Sequence, residues 1–157
     1  MKALAGLIAA SLALVIGTRV APADPLGDLN GFWSGTGSVV LSGGNTERVK
    51  CQVFYKAGEG STQIRQTMRC ASTDYTINSL AHLQVRGNQV TGSWEERTYS
   101  AKGEVTGRYS GESFVLSIQG ASFSAAMNVS LSNCRQNISI TPKGLEVTRV
   151  TIVLARC

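Results

Sequence analysis

The chain has 157 residues, with 15 Lys or Arg against 10 Asp or Glu, and a formal net charge of +5. This length fits one domain, and a charged fraction of 16% is typical of a globular protein. The basic side chains are spread singly along the sequence, without a run, which argues against a nucleic-acid groove. Abundant Gly, Ser and Thr favour an all-β protein.

The first 23 residues have the organisation of a signal peptide. Met1-Lys2 supplies a positive start, residues 3–17 form an apolar stretch, and Ala21-Pro22-Ala23 is a small-residue cleavage site. We therefore expect the mature domain to span residues 24–157 and to be periplasmic or secreted. A membrane anchor is the weaker alternative, because the apolar run is short and a processing site follows it. No membrane span is expected after removal of the signal.

Four cysteines in an exported chain predict two disulfides. Three pairings are possible, and the strand pattern favours one of them. A hairpin turning at residues 57–61 sets Cys51 opposite Cys70, with Val53 opposite Met68. A second hairpin, turning at Pro142-Lys143-Gly144, brings Cys134 to Cys157. A four-cysteine zinc site is the rival interpretation, but the sequence contains no C-x-x-C pair, so no metal is expected.

The stretch from Leu29 to Leu41 is the first segment that reads as a strand. Because side chains alternate on a strand, Trp33 and Val39 share one face with two glycines, while Ser and Thr residues occupy the other face. Glycines beside a large indole indicate a bend or a close approach of another backbone.

The same alternation recurs nine more times, between turns rich in Gly, Ser and Asn. No helical periodicity follows the signal. The pattern predicts an all-β fold, an antiparallel up-and-down meander of about 8–10 strands. A sheet of this length must curl to avoid exposed edges, so closure into a small barrel is expected, with a β-sandwich as the alternative.

Leu29-x-Gly31-x-Trp33, at the start of a small exported meander, resembles the N-terminal signature of the calycins, the barrel superfamily that includes lipocalins and avidins. The resemblance implies that Trp33 plugs the closed end of a barrel. It also implies that a basic residue from a late strand, Arg149 or Arg156, packs over the indole ring. In general style the chain also resembles small exported proteins of alphaproteobacteria.

Candidates for catalysis are few. The single histidine, His82, alternates away from the apolar face of its strand. Glu95 and Glu96 are adjacent on a strand, so their carboxylates point to opposite faces and cannot act on one substrate atom. The sequence has no nucleophile elbow and no phosphate-binding glycine loop. We therefore expect a protein that is not an enzyme and needs no cofactor.

The function predicted from the sequence is that of a lipocalin-like binding protein of the bacterial envelope, holding a small apolar or amphipathic ligand. The predicted wall residues are Trp33, Trp94, Tyr109, Phe123 and Met127. A filled core is the competing interpretation of these rings. Two other functions stay open: a protein-interaction or protease-inhibitor-like module with a projecting arm at residues 24–30, and a structural envelope protein.

Overall fold

The computed structural model describes residues 26–57 and 62–157. The predicted signal peptide, and most of the turn predicted at residues 57–61, lie outside the described residues. The elements in chain order are a short 3-10 helix, η1 (Gly27–Leu29), and ten strands: β1 (Gly31–Leu41), β2 (Thr46–Ala57), β3 (Gln63–Ala71), β4 (Thr76–Arg86), β5 (Gln89–Glu96), β6 (Ala101–Tyr109), β7 (Ser113–Gly120), β8 (Ser124–Ser132), β9 (Arg135–Lys143) and β10 (Val147–Ala155).

Each strand pairs antiparallel with the next one along the chain, and β1 also pairs with β10. The sheet is therefore closed, and the predicted up-and-down barrel is confirmed, whereas the alternative β-sandwich is wrong. Closure pairs both edges that an open ten-stranded sheet would leave exposed. In the described part of the chain, no helix is long and apolar enough to cross a bilayer.

The register of the first cysteine hairpin agrees with the sequence analysis. Cys51 lies opposite Cys70, Val53 opposite Met68, and the two cysteines form a disulfide. Cys134 and Cys157 form the second disulfide. Since the four sulfurs are paired in these two disulfides, none of them is free to bind zinc.

The hairpin that joins β9 to β10 turns slightly later than predicted. Pro142 and Lys143 still belong to β9, and the turn is made by residues 144–146, where Gly144 has a positive φ of 83°. Proline has no backbone N–H to donate, so it is tolerated near the end of a strand, where the ladder does not need that donor.

The barrel closes tightly where β1 meets β10. At Gly35 an added Cβ would lie 1.8 Å from the carbonyl oxygen of Val153 and 2.9 Å from the Cα of Leu154. Only glycine lets these two backbones approach so closely, which explains the glycines beside Trp33 in the sequence.

Because consecutive strands run in opposite directions, successive loops lie at opposite ends of the barrel. The first, here called the Trp33 end, contains η1, the turns that follow β4, β6 and β8, and the C-terminus. The second, called the Glu96 end, contains the loops that follow β1, β3, β5, β7 and β9. The two ends differ in how they are closed, and this difference positions the candidate site.

Candidate ligand-binding cavity

The barrel encloses a cavity of about 460 Å³. All ten strands contribute inward-facing side chains to its wall, and most of these are aliphatic, among them Val49, Val105, Leu116, Ile138 and Ile152. A cavity of this size and lining is typical of small-molecule sites, which are concave and mostly apolar. The barrel is therefore not completely filled by its own side chains.

The Trp33 end is closed. The indole of Trp33 is 1% exposed, and its Nε1 donates a hydrogen bond to the carbonyl oxygen of Leu29 at 2.8 Å. The guanidinium carbon of Arg156 lies 4.7 Å from the centre of the indole ring. Arg156 therefore fills the role that the calycin resemblance gave to Arg149 or Arg156, while Arg149 is exposed on β10.

The described part of the predicted N-terminal arm, residues 26–30, packs against this end. Leu29 is 4% exposed, and the side-chain oxygen of Asn30 accepts a hydrogen bond from the backbone N–H of Ala57 at 3.4 Å. These residues therefore form part of the barrel floor and do not project as a free arm.

The Glu96 end is the mouth of the cavity. Residues from its loops line the cavity, including Tyr75, Tyr99, Leu145 and Glu146. Tyr99 is 57% exposed and Leu145 is 46% exposed, although both belong to this lining. Large side chains that line a cavity and also face solvent mark the place where a ligand can enter.

Glu96 holds the mouth in shape. Its carboxylate is 5% exposed and accepts hydrogen bonds from the backbone N–H groups of Asn78, Thr98 and Tyr99 at 2.8, 3.0 and 2.6 Å. Burial by itself would raise the pKa of the Glu96 carboxyl, but these donors outweigh it and the pKa is lowered. The carboxylate is thus a charged structural cap for the loop between β5 and β6.

A polar cluster lies toward the Trp33 end of the barrel. Tyr55 and Gln66 line the cavity there, and Gln66 Nε2 donates to the hydroxyl of Tyr55 at 3.3 Å. That hydroxyl donates in turn to Oε1 of the fully buried Gln136 at 3.0 Å. Burial raises the pKa of Tyr55 to about 12, against the opposing effect of the Gln66 hydrogen bond, so the phenol is protonated and remains a donor at neutral pH.

The cluster is incompletely paired. Nε2 of Gln136 has no hydrogen-bond partner among the described residues, although the side chain is 0% exposed. A buried amide N–H without an acceptor is costly, and such groups are uncommon in folded proteins. The oxygen of the same Gln136 amide accepts a hydrogen bond from Tyr55, which is a residue of the cavity wall.

Three of the five predicted wall residues line the cavity: Trp94, Phe123 and Met127. The rings of Trp94 and Phe123 meet edge to face, with their centres 5.9 Å apart. Trp94 and Met127 are half-buried, and Phe123 lies where the mouth begins. That these residues contact a ligand stays a prediction.

The other two predicted wall residues, Trp33 and Tyr109, are not among the residues that line the cavity, and their role in ligand binding stays a prediction. Trp33 is enclosed beneath the cavity floor by Leu29 and Arg156. Tyr109 lies at the end of β6, where its ring packs 4.6 Å from that of Phe114 and its hydroxyl donates to the Gly111 carbonyl at 3.4 Å. Alternation identifies the face of a strand but not the height in the barrel at which a side chain lies.

Sequence reasoning missed Tyr55, Gln66 and Gln136. Tyr55 lies opposite Gln66 on the first cysteine hairpin, but neither was considered as a site residue. The available signal was polarity at inward positions, because Gln66 and Gln136 interrupt otherwise apolar alternating faces. Their meeting across the barrel depends on closure, which the sequence does not specify residue by residue.

The candidates for catalysis are separated as predicted. His82 is exposed on the outer face of β4, opposite Arg65 and Ser93. Glu95 is also on the outer face and pairs with Arg97 at 2.7 Å, whereas Glu96 points inward. The cavity wall therefore contains neither the imidazole nor a pair of carboxylates from these two residues.

Searches for similar sequences found neither a matching family model nor a matching curated protein. Two solved structures share the fold. The structure of Rv2717c from M. tuberculosis superposes with a TM-score of 0.71 at 16% identity, over 86% of this chain and 98% of the other. The S-type phycobiliprotein lyase CPES from Guillardia theta superposes with a TM-score of 0.60 at 14% identity, over 84% of this chain and 90% of the other. The chain therefore shares its overall fold, here a closed antiparallel barrel of ten strands, with these two proteins.

Proposed function

We propose that this protein binds a small apolar or amphipathic molecule inside its barrel and acts by binding, not by catalysis. The observation that carries the proposal is the apolar cavity of about 460 Å³, closed at the Trp33 end and reaching the loops at the Glu96 end. A barrel whose only role was a surface contact would have no need of an interior space, since a filled core is more stable.

The ionisable groups of the cavity wall support binding over catalysis. The carboxylate of Glu96 is bonded to three backbone N–H groups and holds a loop. Tyr55 has a pKa of about 12, far from the working range of a general base at neutral pH. Glu146 is exposed at the mouth.

Export to the periplasm or beyond is part of the same proposal. Two disulfides in a chain with a predicted signal peptide fit an oxidising compartment. There, an apolar molecule in water needs a carrier or a receptor, and the mostly apolar cavity supplies a place for it.

The experiment uses two neighbouring alanines of β8 that point in opposite directions. Ala125 lines the cavity near its mouth, whereas Ala126 is exposed on the outer face. Ala125→Trp should fill the entrance and abolish the fluorescence increase of an uncharged polarity-sensitive dye. Ala126→Trp is the matched control and should leave dye binding unchanged.

A second variant guards against misfolding. Met127 lines the same wall two residues further along β8, and Met127→Trp should also block the dye. Far-ultraviolet circular dichroism establishes whether each variant keeps its strands. Dye binding that persists in both folded inward variants, or dye that never binds the unaltered protein, would overturn the proposal.

A further inference from the structure

The outer surface of the barrel is basic on one side. The strands β9, β10, β1, β2, β3 and β4 are consecutive around the barrel, and within the described ranges no Asp or Glu points outward from them. Acidic side chains reappear on the outer faces of β5 and β6, at Glu95 and Glu104. The outward basic side chains of the six strands are Arg48, Lys50, Lys56, Arg65, Arg69, Arg86, Arg135, Lys143 and Arg149.

Two phenylalanine rings project into solvent from the same side. Phe32 of β1 lies opposite Phe54 of β2, and the two side chains are 55% and 49% exposed. Side chains directly opposite on paired strands have Cβ atoms about 5 Å apart, so the two rings form one apolar patch. A single exposed apolar residue needs no explanation, whereas a contiguous pair indicates a surface that another molecule covers.

Three cations flank the two rings. Lys56 follows Phe54 by two residues on the same face of β2 and lies opposite Arg65 of β3. Arg69 points outward from the same strand as Arg65. Lys56 and Arg65 also line an open depression of the outer surface, together with His82. The surface thus combines rings that favour an apolar medium with side chains that bind phosphate.

We propose that Phe32, Phe54, Lys56, Arg65 and Arg69, here called the docking patch, hold the barrel side-on against a bilayer that contains anionic lipid. The rings enter the boundary between headgroups and acyl chains, and the cations bind headgroup phosphates. Burial of apolar area and attraction to anionic lipid are the two contributions that hold a protein at a membrane surface. Because no outward carboxylate lies among these six strands, repulsion from the lipid phosphates is absent there.

The position of the patch and the disulfides support this partner. Phe32 and Phe54 lie near the start of β1 and the end of β2, toward the Trp33 end, so docking leaves the mouth of the cavity open. The two disulfides fit an oxidising compartment outside the cytoplasm, where membrane surfaces are abundant and nucleic acids are not. The proposal does not depend on what the cavity binds.

Sedimentation with lipid vesicles tests the role of charge. The mature protein should bind vesicles of equal parts phosphatidylcholine and phosphatidylglycerol about tenfold or more tightly than vesicles of phosphatidylcholine alone. Arg65→Gln combined with Arg69→Gln should weaken binding to the mixed vesicles by about tenfold or more. Lys102→Gln combined with Arg108→Gln is the matched control, because it removes the same charge from the outer face of β6, across the barrel. It should change binding by less than about twofold.

Fluorescence tests the role of the rings. Phe54→Trp keeps an aromatic side chain in the patch, and its emission should move to shorter wavelength when mixed vesicles are added, since the indole leaves water. Val115 is 56% exposed on the outer face of β7, so Val115→Trp is the matched control and its emission should not move. Trp33 and Trp94 contribute the same background to both variants.

Several results would overturn the proposal. They are protein that stays in the supernatant with mixed vesicles, equal binding to the two kinds of vesicle, equal weakening by the two pairs of Gln substitutions, or an emission shift in both Trp variants. Binding of an oligodeoxythymidylate through Arg65 and Arg69, without binding to vesicles, would assign the patch to nucleic acid instead. None of these results affects the dye experiment, so the proposed function is judged separately.

Discussion

The guanidinium of Arg156 lies 4.7 Å from the ring centre of Trp33, although 122 residues separate them in the chain. It also donates hydrogen bonds to the carbonyl oxygens of Asp28 and Asn133, the latter at 3.1 Å. One side chain next to the C-terminus thus joins η1, β1 and the turn between β8 and β9. This contact closes the barrel end opposite the mouth.

Replacing Arg156 by Ala should lower the free energy of unfolding by about 2 kcal/mol, because the cation–π contact and the hydrogen bonds to two carbonyls are lost together. Urea denaturation followed by circular dichroism measures the change. Arg149→Ala is the control, since Arg149 is exposed on the same strand. Equal effects of the two substitutions would show that the contact with Trp33 contributes nothing.

The disulfide between Cys134 and Cys157 should act together with Arg156. Changing both cysteines to Ser opens a loop of 23 residues and should cost about 3 kcal/mol in the chain-entropy model. Because Cys157 is adjacent to Arg156, losing the bond also frees the arginine. Adding Arg156→Ala to the cysteine variant should therefore cost less than it does alone, whereas full additivity would contradict the coupling.

Gly35→Ala should destabilise the barrel by about 3 kcal/mol, because a Cβ there collides with the backbone of Val153 and no side-chain rotation relieves it. Thermal unfolding measures the loss. Gly43→Ala is the matched control: nothing lies within 4 Å of its Cβ position, and a change under about 0.5 kcal/mol is expected. A similar loss in both variants would contradict the assignment of the effect to the close approach of β1 and β10, because backbone entropy alone favours alanine over glycine.

Tyr55 should make the protein sensitive to alkali. Its pKa is about 12 in the folded state and near 10 when unfolded, so its contribution is complete below pH 10 and is lost as the pH rises toward 12. A difference of about two pKa units corresponds to roughly 3 kcal/mol. Urea unfolding at pH 9 and pH 11 should show a steeper loss in the unaltered protein than in Tyr55→Phe. Parallel losses would contradict this assignment.

Glu96 should make the protein sensitive to acid. Its pKa is lowered in the folded state, so the stability it contributes is present above its ordinary value of 4.5 and is lost as the pH falls through the folded value. Glu96→Gln should cost about 2 kcal/mol at pH 7, where three backbone donors lose a charged acceptor. The same substitution should flatten the dependence of unfolding free energy on pH below 4.5. If this dependence below pH 4.5 were the same in Glu96→Gln, it would have to come from other carboxyl groups.

The strands and turns of the fold could be predicted from the sequence because their determinants are local, whereas closure was expected because an open sheet of this length would expose its edges. Alternation over five to ten residues locates a strand, and a turn of Gly, Ser and Asn ends it. The pairing of Cys51 with Cys70 followed from counting back from one hairpin turn. The role of the Trp33 plug and its basic partner came from the calycin resemblance, which left Arg149 and Arg156 as equal candidates.

The site was less predictable because it depends on contacts between distant strands. Tyr55 and Gln136 are 81 residues apart and meet only because β1 pairs with β10 and closes the sheet. The height of each ring in the barrel depends on the same closure, so alternation along the strands could not show that Trp33 and Tyr109 lie outside the cavity lining.

Surface charge shows the same limit. Five basic residues that are scattered in the sequence share the outer faces of β2 and β3, where no described acidic side chain is exposed: Arg48, Lys50, Lys56, Arg65 and Arg69. Basic residues that are isolated from one another along the chain are therefore neighbours on the surface. The register between two strands determines the cluster, and composition does not contain it.

Native mass spectrometry tests the central claim that the barrel interior holds a small molecule. The mature protein is recovered from its own host without detergent and measured beside Ala125→Trp and Ala126→Trp. A reproducible added mass, lost on denaturation, present in the Ala126 variant and missing from a folded Ala125 variant, is the predicted result. A bare chain mass that persists after equilibration with undecane and 2-undecanone would contradict the account.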